Sequence, residues 1–319
     1  MAMTNTIQTK RAAKSSHARN KADGLIRGFD LRKPSVVVAY TIMMIVIVGA
    51  IILAVLPLVW TVFGGFKSMQ EFTRGVKTVG PDGKNQFLMT FIPSSFSLDG
   101  YLETWRKTKF ARYYLNSLYV VVGCCVSALL FNGLLAYGLS RLKPRGWKIA
   151  QALVMGSMLL PGVISIVPLF INLARMGLTR SFIPLWLGVG ASAFTVILFK
   201  DFYDGMPTSL FEAARLDGCS NLQMFFRIVI PLSMPINMVV LIFTVNGAWS
   251  DFLLPYLLLN NTTMATVMVR LFEFRAASGV ITAIEVLRAT VFSILPPIVL
   301  FILFQRQITT NVMAAGIRG

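Results

Sequence analysis

The chain has few of the residues on which enzymes depend. One histidine, His17, and thirteen acidic residues occur among 319, and no group of them has the spacing of a hydrolase site. The phosphate-binding pattern G-x-x-x-x-G-K-[ST] is absent. Three cysteines, Cys124, Cys125 and Cys219, form neither a disulfide framework nor a metal-ligand spacing. We therefore predict no catalytic residue, cofactor or metal on this chain, and any ATP hydrolysis must occur on another.

Charge is also scarce inside the long apolar runs. Glu285 and Arg288 are the only charged residues within a predicted span, and they lie three residues apart on one helix face. An ion-driven carrier is expected to hold acids or bases deep in its helices, although each costs about 2.5–3.5 kcal/mol to insert. The sequence therefore favours transport that is driven by a reaction on another chain and not by an ion gradient. A stand-alone secondary carrier or channel and a membrane-embedded enzyme remain alternatives.

Apolar residues make up 55% of the chain, and the mean hydropathy is +0.70. These values predict an all-α, polytopic membrane protein. The net charge of +17 indicates loops facing anionic lipid, since no polar domain is long enough to read nucleic acid. The six predicted transmembrane helices cover about 36–63, 116–139, 149–173 (with Lys148 at its edge), 182–199, 231–249 and 283–304.

The distribution of basic residues predicts the orientation. Six spans place both termini on one side, and the segments on that side carry 17 Lys and Arg against 12 on the other, where eight lie in one long loop. Because short loops weigh most in the positive-inside rule, both termini are predicted to be cytoplasmic. Tryptophan favours the membrane interface. The tryptophans at predicted outer ends of spans are Trp60, Trp186 and Trp249.

The longest polar break on the predicted cytoplasmic side runs from Gly205 to Pro231. Its pattern predicts two short helices that fold back at Gly218, where a left-handed residue is easiest for glycine. Ser209 with Glu212, and Ser220 with Gln223, fit capping boxes at the two helix starts. The pair carries more apolar side chains than it could bury alone, which is typical of a docking element.

This break resembles the EAA loop of ATP-binding-cassette (ABC) importer permeases, whose pattern is E-A-A-x3-G-x9-I-x-L-P. Glu212-Ala213-Ala214, Gly218, Ile228 and Ile230-Pro231 keep its spacing, with isoleucine in place of leucine. The resemblance implies that the loop docks on an ATPase subunit and transmits its movement to the membrane helices. The predicted coupling residues are Ser209, Glu212, Ala213, Ala214, Asp217, Gly218, Phe225 and Pro231.

The stretch Trp249 to Pro255 and the glycine-ended C-terminal tail are similar to the smaller permease of carbohydrate importers of the maltose kind. That resemblance implies import of a sugar or oligosaccharide across a bacterial inner (plasma) membrane. The implied partners are a second permease in a heterodimer, two ATPase subunits that bind ATP and Mg²⁺, an extracytoplasmic binding protein and membrane lipid, without nucleic acid.

The predicted organisation has five parts. These are a basic cytoplasmic tail at 1–34, a first transmembrane helix at 35–65, an extracytoplasmic loop at 66–115, a permease core at 116–307 with its coupling loop at 200–230, and a cytoplasmic tail at 308–319. Polar residues within or beside the spans are candidates for the solute pathway. These candidates are Asn132, Asn172, Asn246, Glu285 and Arg288.

Overall fold

A computed structural model describes residues 34–79, 85–88, 90–260, 262–276 and 281–316. The predicted basic tail, apart from its last residue, and the final three residues of the C-terminal tail lie outside these ranges. The chain divides into two units, Met1–Trp60 and Thr61–Gly319.

The described part of the chain is almost entirely helical. The helices, in chain order, are α1 (Pro34–Phe66), α2 (Met69–Arg74), α3 (Asp99–Lys107), α4 (Phe110–Leu142), α5 (Trp147–Ser157), α6 (Gly162–Arg175), α7 (Ile183–Gly190), α8 (Ala193–Asp204), α9 (Thr208–Leu216), α10 (Asn221–Leu232), α11 (Met234–Ser250), α12 (Leu253–Leu259), α13 (Val267–Ala276) and α14 (Ala283–Gly316). Two short antiparallel strands, β1 (Val76–Val79) and β2 (Asn85–Leu88), pair with Val76 opposite Leu88.

Three helical segments are long and apolar enough to cross a membrane without a break: Val36–Phe66, Phe110–Leu142 and Ala283–Gln305. Three bent helix pairs, α5 with α6, α7 with α8, and α10 with α11, raise the possible number to six. These six segments fall where the apolar runs predicted spans. The all-α membrane fold is therefore confirmed.

The bends explain where the predicted spans and the observed helices differ. The α5–α6 pair bends by 104° just before Pro161, whose missing N–H cannot continue a helix. The α10–α11 pair bends by 82° at Ser233. The fifth span, predicted from Pro231, therefore begins at Met234, because Pro231 still belongs to α10.

Helix α14 runs past the predicted end of the sixth span, from Ala283 to Gly316. The sequence between Gln305 and Ala315 contains neither glycine nor proline, so no residue stops the helix there. Most of the predicted C-terminal tail is therefore a continuation of the last helix.

The polar loop after α1 is fastened to the start of α14. The Arg288 guanidinium donates to the carbonyls of Gly65 (2.8 Å) and Lys67 (3.1 Å). The Tyr101 hydroxyl donates to the Val62 carbonyl at 2.8 Å, and burial raises the pKa of Tyr101 to about 12. It therefore remains a hydrogen-bond donor at physiological pH. The Glu71 carboxylate accepts from the backbone N–H and hydroxyl of Ser94, at 2.9 and 2.7 Å.

Candidate functional site

The fold-back between α9 and α10 is a Schellman turn. Gly218 has φ +76°, and its N–H donates to the Arg215 carbonyl at 3.0 Å. The Cys219 N–H donates to the Ala214 carbonyl at 2.9 Å. These are the two hydrogen bonds that close a helix at a left-handed residue. The geometry predicted for Gly218 is confirmed.

The two predicted capping boxes have different outcomes. At the start of α10, Gln223 Oε1 accepts from the Ser220 N–H at 2.8 Å, and Ser220 Oγ accepts from the Gln223 N–H at 3.3 Å. This box is confirmed. The Ser209–Glu212 box is wrong, because α9 starts earlier, with Pro207 as its N-cap and no side-chain cap. Ser209 is the second residue of the helix, and Glu212 lies beyond reach of its first N–H groups.

The predicted coupling residues divide between a buried and an exposed face. Ala214 and Phe225 are buried, at 6% and 0% exposure. They pack in a cluster with residues from α4, α8 and α11. Ala213, predicted with Ala214 to allow close approach of a partner, is exposed. The other exposed members of the set are Ser209, Glu212, Asp217, Gly218 and Pro231.

Large apolar side chains also remain exposed on α9 and α10. Leu216 is 90% exposed and Leu222 is 61% exposed, with Phe226 and Leu210 at 49% and 41%. We call these four residues the loop knob. A surface of this kind on a tight, well-anchored helix pair is typical of a protein contact.

An arginine that the sequence patterns did not single out holds the helix pair to the bundle. The Arg141 guanidinium lies 4.7 Å from the centre of the Phe211 ring and donates to the carbonyls of Tyr203 and, at 2.5 Å, Met206. The ring of Tyr137 stacks against the ring of Phe211, with 6.4 Å between the two ring centres. Arg141 thus joins the end of α4 to α8 and α9. Its signal in the sequence was only its place at a span end beside the loop.

A second contact at the same end ties α4 to α8. Ser140 Oγ donates to Asp204 Oδ1 at 2.5 Å, and Lys200 Nζ lies 2.7 Å from Asp204 Oδ2. The ends of α4 and α8 are therefore joined by direct polar contacts, and Arg141 adds a contact with the Phe211 ring of α9.

Three of the predicted pathway residues have structural partners. Asn132 is fully buried, and its amide bridges the break between α7 and α8 by donating to the Val189 carbonyl (2.9 Å) and accepting from the Ser192 N–H (3.1 Å). Glu285 pairs with Lys107 at 2.7 Å and accepts from the Thr282 N–H.

Arg288 completes this group through its bonds to the loop after α1, described above. In this conformation, therefore, the polar groups of Asn132, Glu285 and Arg288 are bonded to neighbouring helices and loops.

The other two predicted pathway residues, Asn172 and Asn246, are exposed. Asn246 belongs to a polar strip at the end of α11 that continues through Gly247 and Ser250 to Asp251, all exposed. Trp249 on the opposite face is 2% exposed and donates to the Ser293 carbonyl at 2.9 Å. Trp249 lies at the end of α11, as predicted, but its ring packs between helices, and its interfacial depth stays a prediction.

The polar strip opens into a cavity of about 310 Å³ between α4, α7 and α11. Its wall combines Ser250 and Asp251 with apolar side chains such as Val120 and Leu185. Asp251 is exposed on this wall, directly after the last residue of α11. No sequence pattern singled out Asp251 as a site residue, although it lies only two residues after a predicted span.

The cavity and the loop contacts lie toward opposite ends of α4. Val120 and Cys124 line the cavity, whereas Tyr137 and Arg141 contact the loop. At 1.5 Å per residue, the two regions are about 25 Å apart along the helix. Membrane-length helices, with an exposed helix pair toward one end and a cavity with a polar edge toward the other, form an arrangement that fits a membrane transport subunit.

Residues 129–314 match the family described as binding-protein-dependent transport system inner membrane component. Because this match covers more than half of the chain, the protein belongs to that family of multi-pass inner-membrane permeases. The family segment contains the whole coupling loop and the polar strip of α11.

Two curated relatives illustrate the family. The chain is 32% identical to the polygalacturonan/rhamnogalacturonan transport system permease protein YtcP of Bacillus subtilis (strain 168) over 221 residues, 69% of this chain and 72% of YtcP. It is 27% identical to the diacetylchitobiose uptake system permease protein NgcG of Streptomyces coelicolor over 271 residues, 84% of this chain and 85% of NgcG.

A solved structure shares the fold. The match is to a bacterial ABC transporter involved in the import of the acidic polysaccharide alginate, with a TM-score of 0.72 and 21% identity. It covers 89% of this chain and 99% of the other. The helical arrangement described above is therefore that of an ABC importer permease.

Proposed function

We propose that the protein is a transmembrane subunit of an ATP-driven importer and carries a sugar or oligosaccharide delivered by an extracytoplasmic binding protein. The supporting observations are its membership of a binding-protein-dependent family and its relatives named for polygalacturonan and diacetylchitobiose. The chain translocates the solute without covalent chemistry.

Its proposed partners are a second permease, two ATPase subunits and the binding protein. ATP and Mg²⁺ bind on the ATPase subunits, since this chain lacks a phosphate-binding loop. The excess of basic residues on one side supports cytoplasmic termini and a cytoplasmic coupling loop. The five-part organisation given by the sequence stays a prediction.

The loop knob is the observation that carries this proposal. Leu216, at 90% exposure, lies beside a Schellman turn whose helix pair is anchored through Phe211 and Phe225. A water-facing leucine gains free energy by entering a partner's cleft. The rigid anchor beneath it transmits the partner's movement to α4 and α8.

The test introduces a charge on the exposed face of α9. Ala213→Asp is expected to uncouple uptake from ATP hydrolysis, because it places a charge on the proposed docking face. Membrane insertion should remain intact, because Ala213 is exposed and an aspartate there disturbs no packing within this chain. Gly218→Asp is expected to act in the same way by straining a residue at φ +76°. Uptake and ATPase activity are measured on the assembled complex in proteoliposomes.

Ala111→Asp is the matched control, since it adds the same charge to an exposed alanine in the first turn of α4, outside the coupling loop and the predicted spans. It is expected to keep coupled uptake. Wild-type coupled uptake in Ala213→Asp and Gly218→Asp would refute the docking role.

A further inference from the structure

The polar strip of α11 requires a polar environment. Asn246 and Ser250 are one helical turn apart on one face, and Asp251 follows directly. All three are exposed in the isolated subunit. Lipid contact would be costly for these groups, because hydrocarbon cannot replace their hydrogen bonds to water. The strip must therefore face water, a solute or another protein.

The size and lining of the cavity favour a solute as the group that the strip faces. A volume of about 310 Å³ falls within the range of roughly 300–1,000 Å³ that is typical of ligand pockets. Its wall is mainly apolar and carries a few polar groups at one side, the arrangement that holds a sugar by its faces and hydroxyls. Ser250 offers a hydroxyl and Asp251 a carboxylate.

Asp251 can act as a hydrogen-bond acceptor in the cavity. It directly follows the last residue of α11, is exposed and forms part of the cavity wall. An ionised carboxylate accepts hydrogen bonds through two oxygens. A sugar hydroxyl or a protonated amine can donate to it, whereas a second carboxylate cannot.

The charge of the cavity is of one sign. Among the described residues that line it, Asp251 carries the only formal charge, and its neighbours there are Ser250, Cys124 and apolar side chains. An acidic solute would bring a like charge close to Asp251 without a lysine or arginine on the wall to offset it. Neutral solutes meet no such repulsion.

We propose that this cavity is a solute subsite that accepts neutral or cationic sugars and disfavours uronic acids. The proposal rests on the proposed import of a sugar and specifies its substrate class. It sets this chain apart from two similar proteins that are named for acidic polysaccharides, the alginate transporter whose fold it shares and YtcP, named for polygalacturonan.

The experiment measures the electrostatic preference of the subsite directly. In the full transporter complex, Cys124, Cys125 and Cys219 are replaced by alanine, and Ser250→Cys introduces one thiol. This thiol is reacted with two methanethiosulfonate reagents, one with a cationic trimethylammonium group and one with an anionic sulfonate group. Each rate is divided by the rate of the same reagent with a free thiol in solution. The ratio of the corrected cationic rate to the corrected anionic rate is expected to be about ten, as one nearby unpaired charge would give.

Two variants show whether Asp251 causes this preference. Asp251→Asn, added to the Ser250→Cys protein, is expected to bring the ratio close to one. Asp99→Asn, a matched loss of one carboxylate on α3 outside the cavity, is expected to leave the ratio unchanged. Assembly is checked by co-purification of all subunits, and if Asp251→Asn does not assemble, Asp251→Glu must keep the cation preference.

The possible outcomes separate the explanations. A ratio near one in the presence of Asp251, or one that Asp251→Asn does not change, overturns the proposed charge selection. A Ser250→Cys thiol that reacts with neither reagent, with or without ATP, shows that the strip is covered by another protein and overturns the subsite. None of these results depends on coupling through the loop, so the proposed importer function is judged separately by uptake and ATPase activity.

Discussion

Truncation of Leu216 to alanine tests the loop knob with the least disturbance to the fold. Leu216 is 90% exposed, so its side chain contributes little to the packing of this chain. Surface substitutions of this kind change the free energy of unfolding by about 0.5 kcal/mol or less. The stability of the isolated permease should therefore remain close to that of the wild type.

Association with the ATPase subunit should change much more. Leu→Ala removes three carbons, and each buried CH₂ contributes about 0.8 kcal/mol. Because nearly the whole side chain is available for burial, the loss is about 1.5–2.5 kcal/mol, which weakens binding by about 10- to 70-fold. The assay is the dissociation constant of purified ATPase subunits for the permease in detergent, with uptake measured in proteoliposomes.

Leu159→Ala is the matched control, because Leu159 is 84% exposed but lies between α5 and α6, away from the coupling loop. It should leave ATPase binding unchanged. Wild-type binding by Leu216→Ala, together with normal uptake, would refute the inference that the loop knob enters a cleft on a partner.

Three further predictions follow from the same contacts. Gly218→Asn should retain more coupled uptake than Gly218→Asp, although the two are similar in size, because asparagine tolerates φ +76° better and adds no charge. Arg141→Lys should lower uptake per ATP hydrolysed, since an ammonium loses the planar contact with Phe211; the ratio of the two rates measures this. Arg288→Gln should lower the thermal midpoint of the complex while leaving the KM for the solute unchanged, because Arg288 bonds the carbonyls of Gly65 and Lys67; a changed KM would instead support the predicted pathway role.

Much of the fold could be predicted from the composition and from the positions of turn-forming and helix-breaking residues. The length of each apolar run sets the number of possible spans, and Gly218 marks a turn that other residues enter only with strain. The second capping box could be predicted because Ser220 and Gln223 interact locally, within one helical turn. Local rules were sufficient wherever the partners are close in the sequence.

The structure differs from the sequence-based expectation, or adds to it, where distant residues or a neighbouring proline decide the outcome. Pro207 caps α9, so the helix starts before Ser209. Trp249 is buried, and its indole N–H donates to the carbonyl of Ser293, 44 residues away. Asn132 bonds to a helix break 57 residues away, and its pathway role stays a prediction. No local sequence pattern indicates these long-range contacts.

The candidate site was predicted in part for the same reason. The sequence pattern predicts the coupling loop, but the division between buried Ala214 and exposed Ala213 depends on how α9 packs. Arg141 and Asp251 were not predicted as functional residues. Each lies near the end of a span, where sequence rules use a charged residue only to predict the orientation in the membrane.

Helix α4 connects the two proposed functional regions of the molecule. Arg141 and Ser140 in its last turns contact the predicted coupling loop, Asn132 near its middle bonds to both sides of the α7–α8 break, and Cys124 lines the cavity. Two π-helical segments, Ala128–Asn132 and Gly138–Leu142, interrupt its regular hydrogen bonding, a feature often found at functional sites. If the loop docks as proposed, its displacement acts on α4 and α8 together. Because α7 joins α8 at the break that Asn132 bridges, that displacement is then passed on to the cavity wall or absorbed at the break.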